Sequence, residues 1–60
     1  MEKFINELKA KTETISMELR KFSQGNDSAG TRARKLALEI KEDMLTLRKT
    51  ILEERKNKND

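Results

Sequence analysis

From Met1 to Phe22 the apolar residues recur at steps of three and four: Met1, Ile5, Leu8, Ile15, Leu19 and Phe22, with Thr12 in the one gap. This spacing lines one side of an α-helix with a continuous apolar stripe. The same steps resume at Ala33, Ala37, Ile40, Met44, Leu47 and Ile51, and Gly30 carries the line back toward a polar interruption, Gln24-Gly25-Asn26-Asp27-Ser28. Helix breakers gather nowhere else. The pattern predicts an all-α chain, a single helical-hairpin domain over residues 1–60, with helices over about 2–23 and 28–56 and a turn at 24–28. Gly25 is expected in a left-handed conformation closing the first helix, and Asn26, Asp27 or Ser28 is expected to cap the second. So short a connection makes the two helices antiparallel neighbours. Residues 57–60 are polar throughout and are expected to fray.

The second helix carries more apolar surface than one partner can cover. Leu36 lies at the edge of its first stripe, and Leu38, Leu45 and Leu52 form a second stripe, with Lys41, Arg48 and Arg55 running between. Together they span about 200° of the helix, against a little over ~100° for a helix with one buried side. The economical cover is a second copy of the chain, giving a homodimer built as a four-helix bundle, with Leu36, Leu38, Met44, Leu45 and Leu52 at the oligomer contact. Small residues at Gly30, Ala33 and Ala37 predict a narrow hairpin near its turn. Glycine inside a helix costs about 1 kcal/mol relative to alanine, so Gly30 calls for a reason: close packing or close approach of a ligand.

Composition narrows the chemistry. The 60 residues include no Cys, His, Pro, Trp or Tyr, and 42% are charged. A chain this short buries only about 60% of its unfolded surface, and small domains usually add disulfides, a metal or a partner chain. Without Cys and His the first two have no ligands, and imidazole-assisted nucleophilic catalysis has no base. No cofactor or small-molecule substrate is implied. The carboxylates Glu39, Glu42, Asp43, Glu53 and Glu54 fall on polar helix faces beside Lys and Arg, which does not make an enzyme site. Glu39 and Asp43 have the spacing to share a divalent ion, but a solvated face accounts for them more simply. No apolar run is long enough to cross a bilayer and the start of the chain lacks a signal-peptide core, so a cytoplasmic protein without membrane attachment is expected.

Charge is uneven. Residues 20–35 hold Arg20, Lys21, Arg32, Arg34 and Lys35 against the single acid Asp27, while the other 44 residues carry nine basic and ten acidic side chains. Arg20 and Lys21 suit a helix C-terminus, but Arg32, Arg34 and Lys35 sit where the helix dipole disfavours cations. Cations beside free backbone N–H groups suit an anion, and a polyphosphate is the obvious one. A solvated surface with i,i+4 ion pairs is the plain alternative. No aromatic falls on the polar side of either helix for base stacking and there is no base-reading motif, so contacts would fall on phosphates.

Residues 25–35 read Gly-Asn-Asp-Ser-Ala-Gly-Thr-Arg-Ala-Arg-Lys. This string resembles the turn signature of the bacterial linker-histone-like family, the chlamydial histone-like proteins and their short relatives. The flanking helices are similar too, so the likeness covers nearly the whole chain, although only these eleven residues are distinctive. The resemblance implies a nucleoid-associated DNA-binding protein that compacts chromosomal DNA. On it, Arg32, Arg34 and Lys35 would contact phosphates, and Gly25, Asn26, Gly30 and Thr31 would form the turn presenting them. Chlamydial members continue into a long Lys/Arg-rich tail; here only Arg55, Lys56 and Lys58 follow Glu54, so the likeness is to a short, tail-less member.

The leading expectation is a dimeric hairpin binding double-stranded DNA without strong sequence preference. Its DNA-binding residues are Arg20, Lys21, Arg32, Arg34 and Lys35, with Gly25, Asn26, Ser28, Gly30 and Thr31 at the turn. Two alternatives remain: a protein–protein scaffold docking a foreign helix on Leu38, Leu45 and Leu52, and recognition of structured RNA by shape and phosphate spacing.

Overall fold

A computed structural model describes residues 1–58 of the chain, with side chains through Lys56. The chain forms α1 (Glu2–Ser23) and α2 (Asp27–Lys58), packed antiparallel, with no strand among the described residues. Both helices stand where the periodicity places them. The second starts one residue before the expected position and continues through Lys58, two residues past the expected end; of the segment expected to fray, Asn59 and Asp60 lie outside the described residues. The hairpin is a rod measuring 53 × 17 × 12 Å.

The turn is built from paired hydrogen bonds. Gly25 has φ +100°, the left-handed region where a β-carbon would be strained. With it there, the Gly25 N–H donates to the Phe22 carbonyl (3.0 Å) and the Asn26 N–H reaches back to the Lys21 carbonyl (3.1 Å). These two bonds satisfy carbonyls that the end of a helix would otherwise leave open, which is the Schellman arrangement. Of the three residues expected to cap α2, Asn26 does so: its Oδ1 accepts the Ala29 N–H at 3.1 Å. Asp27 supplies a negative charge in the first turn, as the dipole prefers. In α1, Thr12, Thr14, Ser16 and Ser23 turn their hydroxyls back onto carbonyls three or four residues earlier, which satisfies them without a tertiary partner.

The seam between the helices is rotated from the expected one. On α1 the inward positions are Phe4, Leu8, Lys11, Ile15 and Glu18, and on α2 they are Ala29, Ala33, Leu36, Ile40, Asp43, Leu47 and Thr50. Ala29 and Ala33 are buried, and Glu18 is the one larger side chain buried with them among the described residues. The expected stripe members Met1, Ile5, Leu19 and Phe22 are about half exposed, as are Met44 and Ile51. Two things account for the rotation. The ring of Phe22 lies over Gly30, which turns Ala29 and Ala33 toward α1. It also allows Glu18 to meet Arg32 and Lys11 to meet Asp43 across the seam. Near the turn, small residues let the backbones approach, as expected, but through Ala29, Gly30 and Ala33; Ala37 is exposed.

Rotation splits the rod into unlike sides. One carries the ion pairs. The other exposes a shallow apolar groove of about 540 Å³, lined by Ile15, Leu19, Phe22, Gly30, Thr31, Ala33, Arg34 and Ala37 among others. Leu36, expected at an oligomer contact, is half-buried within the hairpin; Leu38, Leu45 and Leu52 stand on the outer side of α2 at 58%, 55% and 54% exposure.

Candidate nucleic-acid interface

Five basic side chains lie in the turn half of the rod, because the turn sets the end of α1 beside the start of α2, but they do not share one face: Arg20 stands with Thr12, Glu13, Ser16 and Met17 on α1, whereas Arg34 borders the apolar groove. Arg20 and Lys21 occupy the last turn of α1, and Arg32, Arg34 and Lys35 follow within the first turns of α2. All five are exposed. Their environments differ in a way the local sequence count conceals.

Glu18, a few residues before the cluster, is 6% exposed and takes two of its members. The Arg32 guanidinium donates through Nε to Glu18 Oε2, and Lys21 Nζ lies 3.6 Å from Glu18 Oε1. The Arg32 hydrogen bond, followed by the nearby positive charges, holds the Glu18 carboxyl below its ordinary value of 4.5 against the opposing effect of desolvation. Glu18 is therefore ionised at neutral pH and ties Arg32 to the seam. Among the described residues, Arg20, Arg34 and Lys35 join no salt bridge. Of the five exposed cations, these three stand outside the Glu18 pairs. Sequence reasoning passed over Glu18 because it lies just outside the basic window; its placement three residues before Lys21 and one heptad after Lys11 was the available signal.

The turn residues divide similarly. Gly25 supplies the left-handed backbone, and Asn26 commits its side-chain oxygen to capping. Gly30 answers the question its cost raised: a β-carbon built there would lie 2.6 and 2.7 Å from Cδ1 and Cε1 of Phe22, so the reason is close packing. Ser28 and Thr31 are exposed beside the cluster.

Farther along the seam, Lys11 Nζ donates to Asp43 Oδ2 at 2.7 Å and stands 3.7 Å from Glu39 Oε1. The Asp43 hydrogen bond raises the Lys11 ammonium above 10.5. Glu39 and Asp43, whose spacing had suggested a divalent ion, thus share a lysine. No group of carboxylates placed to hold a metal occurs among the described residues, and no helix there is long and apolar enough to cross a membrane.

Neither a curated protein nor a solved structure matches the chain. A family does: the histone H1-like protein Hc1 family matches residues 1–57, nearly all of the chain and all of both helices but the last residue of α2. The eleven-residue turn string, the hairpin built around it and this match agree, and the chain belongs to the histone H1-like protein Hc1 family.

Proposed function

We propose that this protein binds double-stranded DNA through its phosphates, without strong sequence preference, as a small nucleoid-associated protein of the cytoplasm. The observation that carries the reading is that Arg20, Arg34 and Lys35, exposed at the turn end of a hairpin in a histone H1-like family, join no salt bridge among the described residues. Phosphates are the anions such a patch suits; Phe22, the aromatic beside it, is half exposed but has its ring seated on Gly30, and the sequence carries no base-reading motif, which favours backbone contacts over reading of bases. Arg32 and Lys21 contribute from their ion pairs with Glu18, giving the patch a reserve of positive charge.

The working unit of this reading is a homodimer. One chain exposes 5231 Å², whereas a compact protein of 7.0 kDa exposes about 4,000 Å². The excess is comparable with the share one partner loses in a standard interface, about 800 Å². The side bearing Leu19, Phe22, Met44 and Ile51 is the surface for a second copy to cover, and two copies double the basic patch.

Titration of a labelled duplex by fluorescence anisotropy at several salt concentrations tests this. Arg20→Gln/Arg34→Gln/Lys35→Gln should weaken binding equally on unrelated sequences and lower the log–log salt slope by about 2.7, at ~0.9 per phosphate contact. Equal affinity of wild type and variant at every salt concentration would remove the patch from the function.

A further inference from the structure

Over residues 36–56 the charges cancel in sequence, five basic against five acidic. The fold sorts them. Asp43 is in the seam with Lys11, and Glu39 lies 3.7 Å from the same lysine. Glu54 lines the crevice that also holds Met1 and Phe4 at the start of the chain. The cations follow another rule: Arg34, Lys41, Arg48 and Arg55 recur every seventh residue, each one position after the seam residues Ala33, Ile40 and Leu47 or their next repeat, and all are exposed. A second column, one position on, holds Lys35, Lys49 and Lys56, with Glu42 as its one acid.

We propose that duplex DNA lies lengthwise along the outer face of α2, its phosphates engaged by the Arg34–Lys41–Arg48–Arg55 column as well as at the turn. The inference rests on the DNA-binding reading above and gives it an axis. From Arg34 to Arg55 the column runs about 32 Å at ~1.5 Å per residue, close to the ~34–36 Å of one duplex turn. The occupant is set by charge: a long stripe of Arg and Lys, with Glu42 the one acid in its two columns, complements a rod that carries regularly spaced negative charge. Leu38, Leu45 and Leu52 lie between the two columns and give the methylene stems of Arg and Lys an apolar floor, leaving the charged heads outward. A second copy is poorly suited to this face, because a two-fold contact through the leucines would bring cation columns against each other.

The test compares salt slopes of wild type, Lys41→Gln/Arg48→Gln/Arg55→Gln, and Lys3→Gln/Lys9→Gln on α1, with helicity followed by circular dichroism. The triple variant should lower the slope by about 2.7 and the affinity at low salt by tenfold or more, while the α1 variant keeps the slope within one unit. Arg48→Gln alone should lower it by about one, which holds the test open should the triple variant lose helicity. An unchanged slope in the α2 variants, with the Arg20/Arg34/Lys35 variant still impaired, overturns the lengthwise site and leaves DNA binding at the turn standing. Failure of wild type to bind duplex at low salt overturns both readings. Binding of wild type to phosphatidylglycerol vesicles in place of DNA, abolished by Leu45→Gln, would assign the face to lipid and overturn the proposal.

Discussion

The ring of Phe22 occupies the space a side chain at position 30 would need, with Cδ1 2.6 Å from where a β-carbon on Gly30 would stand. That contact sets how the helices meet, because it places the last turn of α1 over the bare backbone of α2. Replacing Gly30 by alanine gains helix propensity of about 1 kcal/mol but drives the ring off its seat. We expect Gly30→Ala to be no more stable than wild type, and the same substitution in a Phe22→Ala background to gain about 1 kcal/mol. Thermal unfolding of the four proteins in a double-mutant cycle measures the coupling; a full gain in the wild-type background would show that the ring does not constrain the site.

Glu18 sets stability against binding. Glu18→Gln removes the carboxylate that holds Arg32 and Lys21, so its melting temperature should fall by several degrees at pH 7. The same change frees two cations at the patch, so DNA affinity at low salt should rise, with a salt slope steeper by one to two units. Calorimetry and anisotropy on one preparation check both signs. Weaker binding by a folded variant would mean that Arg32 acts only while held by Glu18.

The two perturbed groups predict a stability profile with two shoulders. Glu18 is held below 4.5 in the fold, so its contribution is present above that pH and is lost as the pH falls through the lower folded value. Lys11 is held above 10.5, so its contribution is complete below that pH and is lost as base rises through the higher folded value. Urea midpoints between pH 2 and 12 should form a plateau with falls at both ends. Glu18→Gln should flatten the acid fall and Lys11→Met the alkaline one.

A homodimer through the apolar side should sediment at twice the 7.0 kDa of one chain. Ile51→Glu or Leu19→Glu, at half-exposed positions, should yield monomers with lower helicity, and the wild-type melting temperature should rise with concentration. A wild type that remains monomeric at hundreds of micromolar, with a concentration-independent transition, would exclude this assembly.

Both helices, the left-handed Gly25 and the capping turn were legible in the sequence, because each follows from local rules: periodicity, the permissiveness of glycine, and a short polar side chain facing open N–H groups. The rotation of the seam was not legible. Apolar periodicity favoured Ile5, Leu19, Ala37 and Met44, whereas Lys11, Glu18 and Asp43 face inward because each has an opposite charge waiting across the seam. That complementarity between helices is invisible when each is read alone. The same blindness hid the fate of Arg32: window arithmetic counted it as surplus, while the fold brings it to a carboxylate fourteen residues earlier in the chain. The turn string that suggested the family was, by contrast, readable outright, because it is contiguous.

The rod's length fixes a stoichiometry on DNA. Laid parallel to a duplex, 53 Å spans about 16 base pairs at ~3.4 Å each. Each rod would then occlude a site longer than its column of cations requires, so neighbouring rods would compete for lattice sites before every phosphate is neutralised. Saturated DNA would keep residual negative charge between ends of adjacent molecules, and the amount of protein needed to coat a chromosome would be fixed by the length of a hairpin and not by its charge.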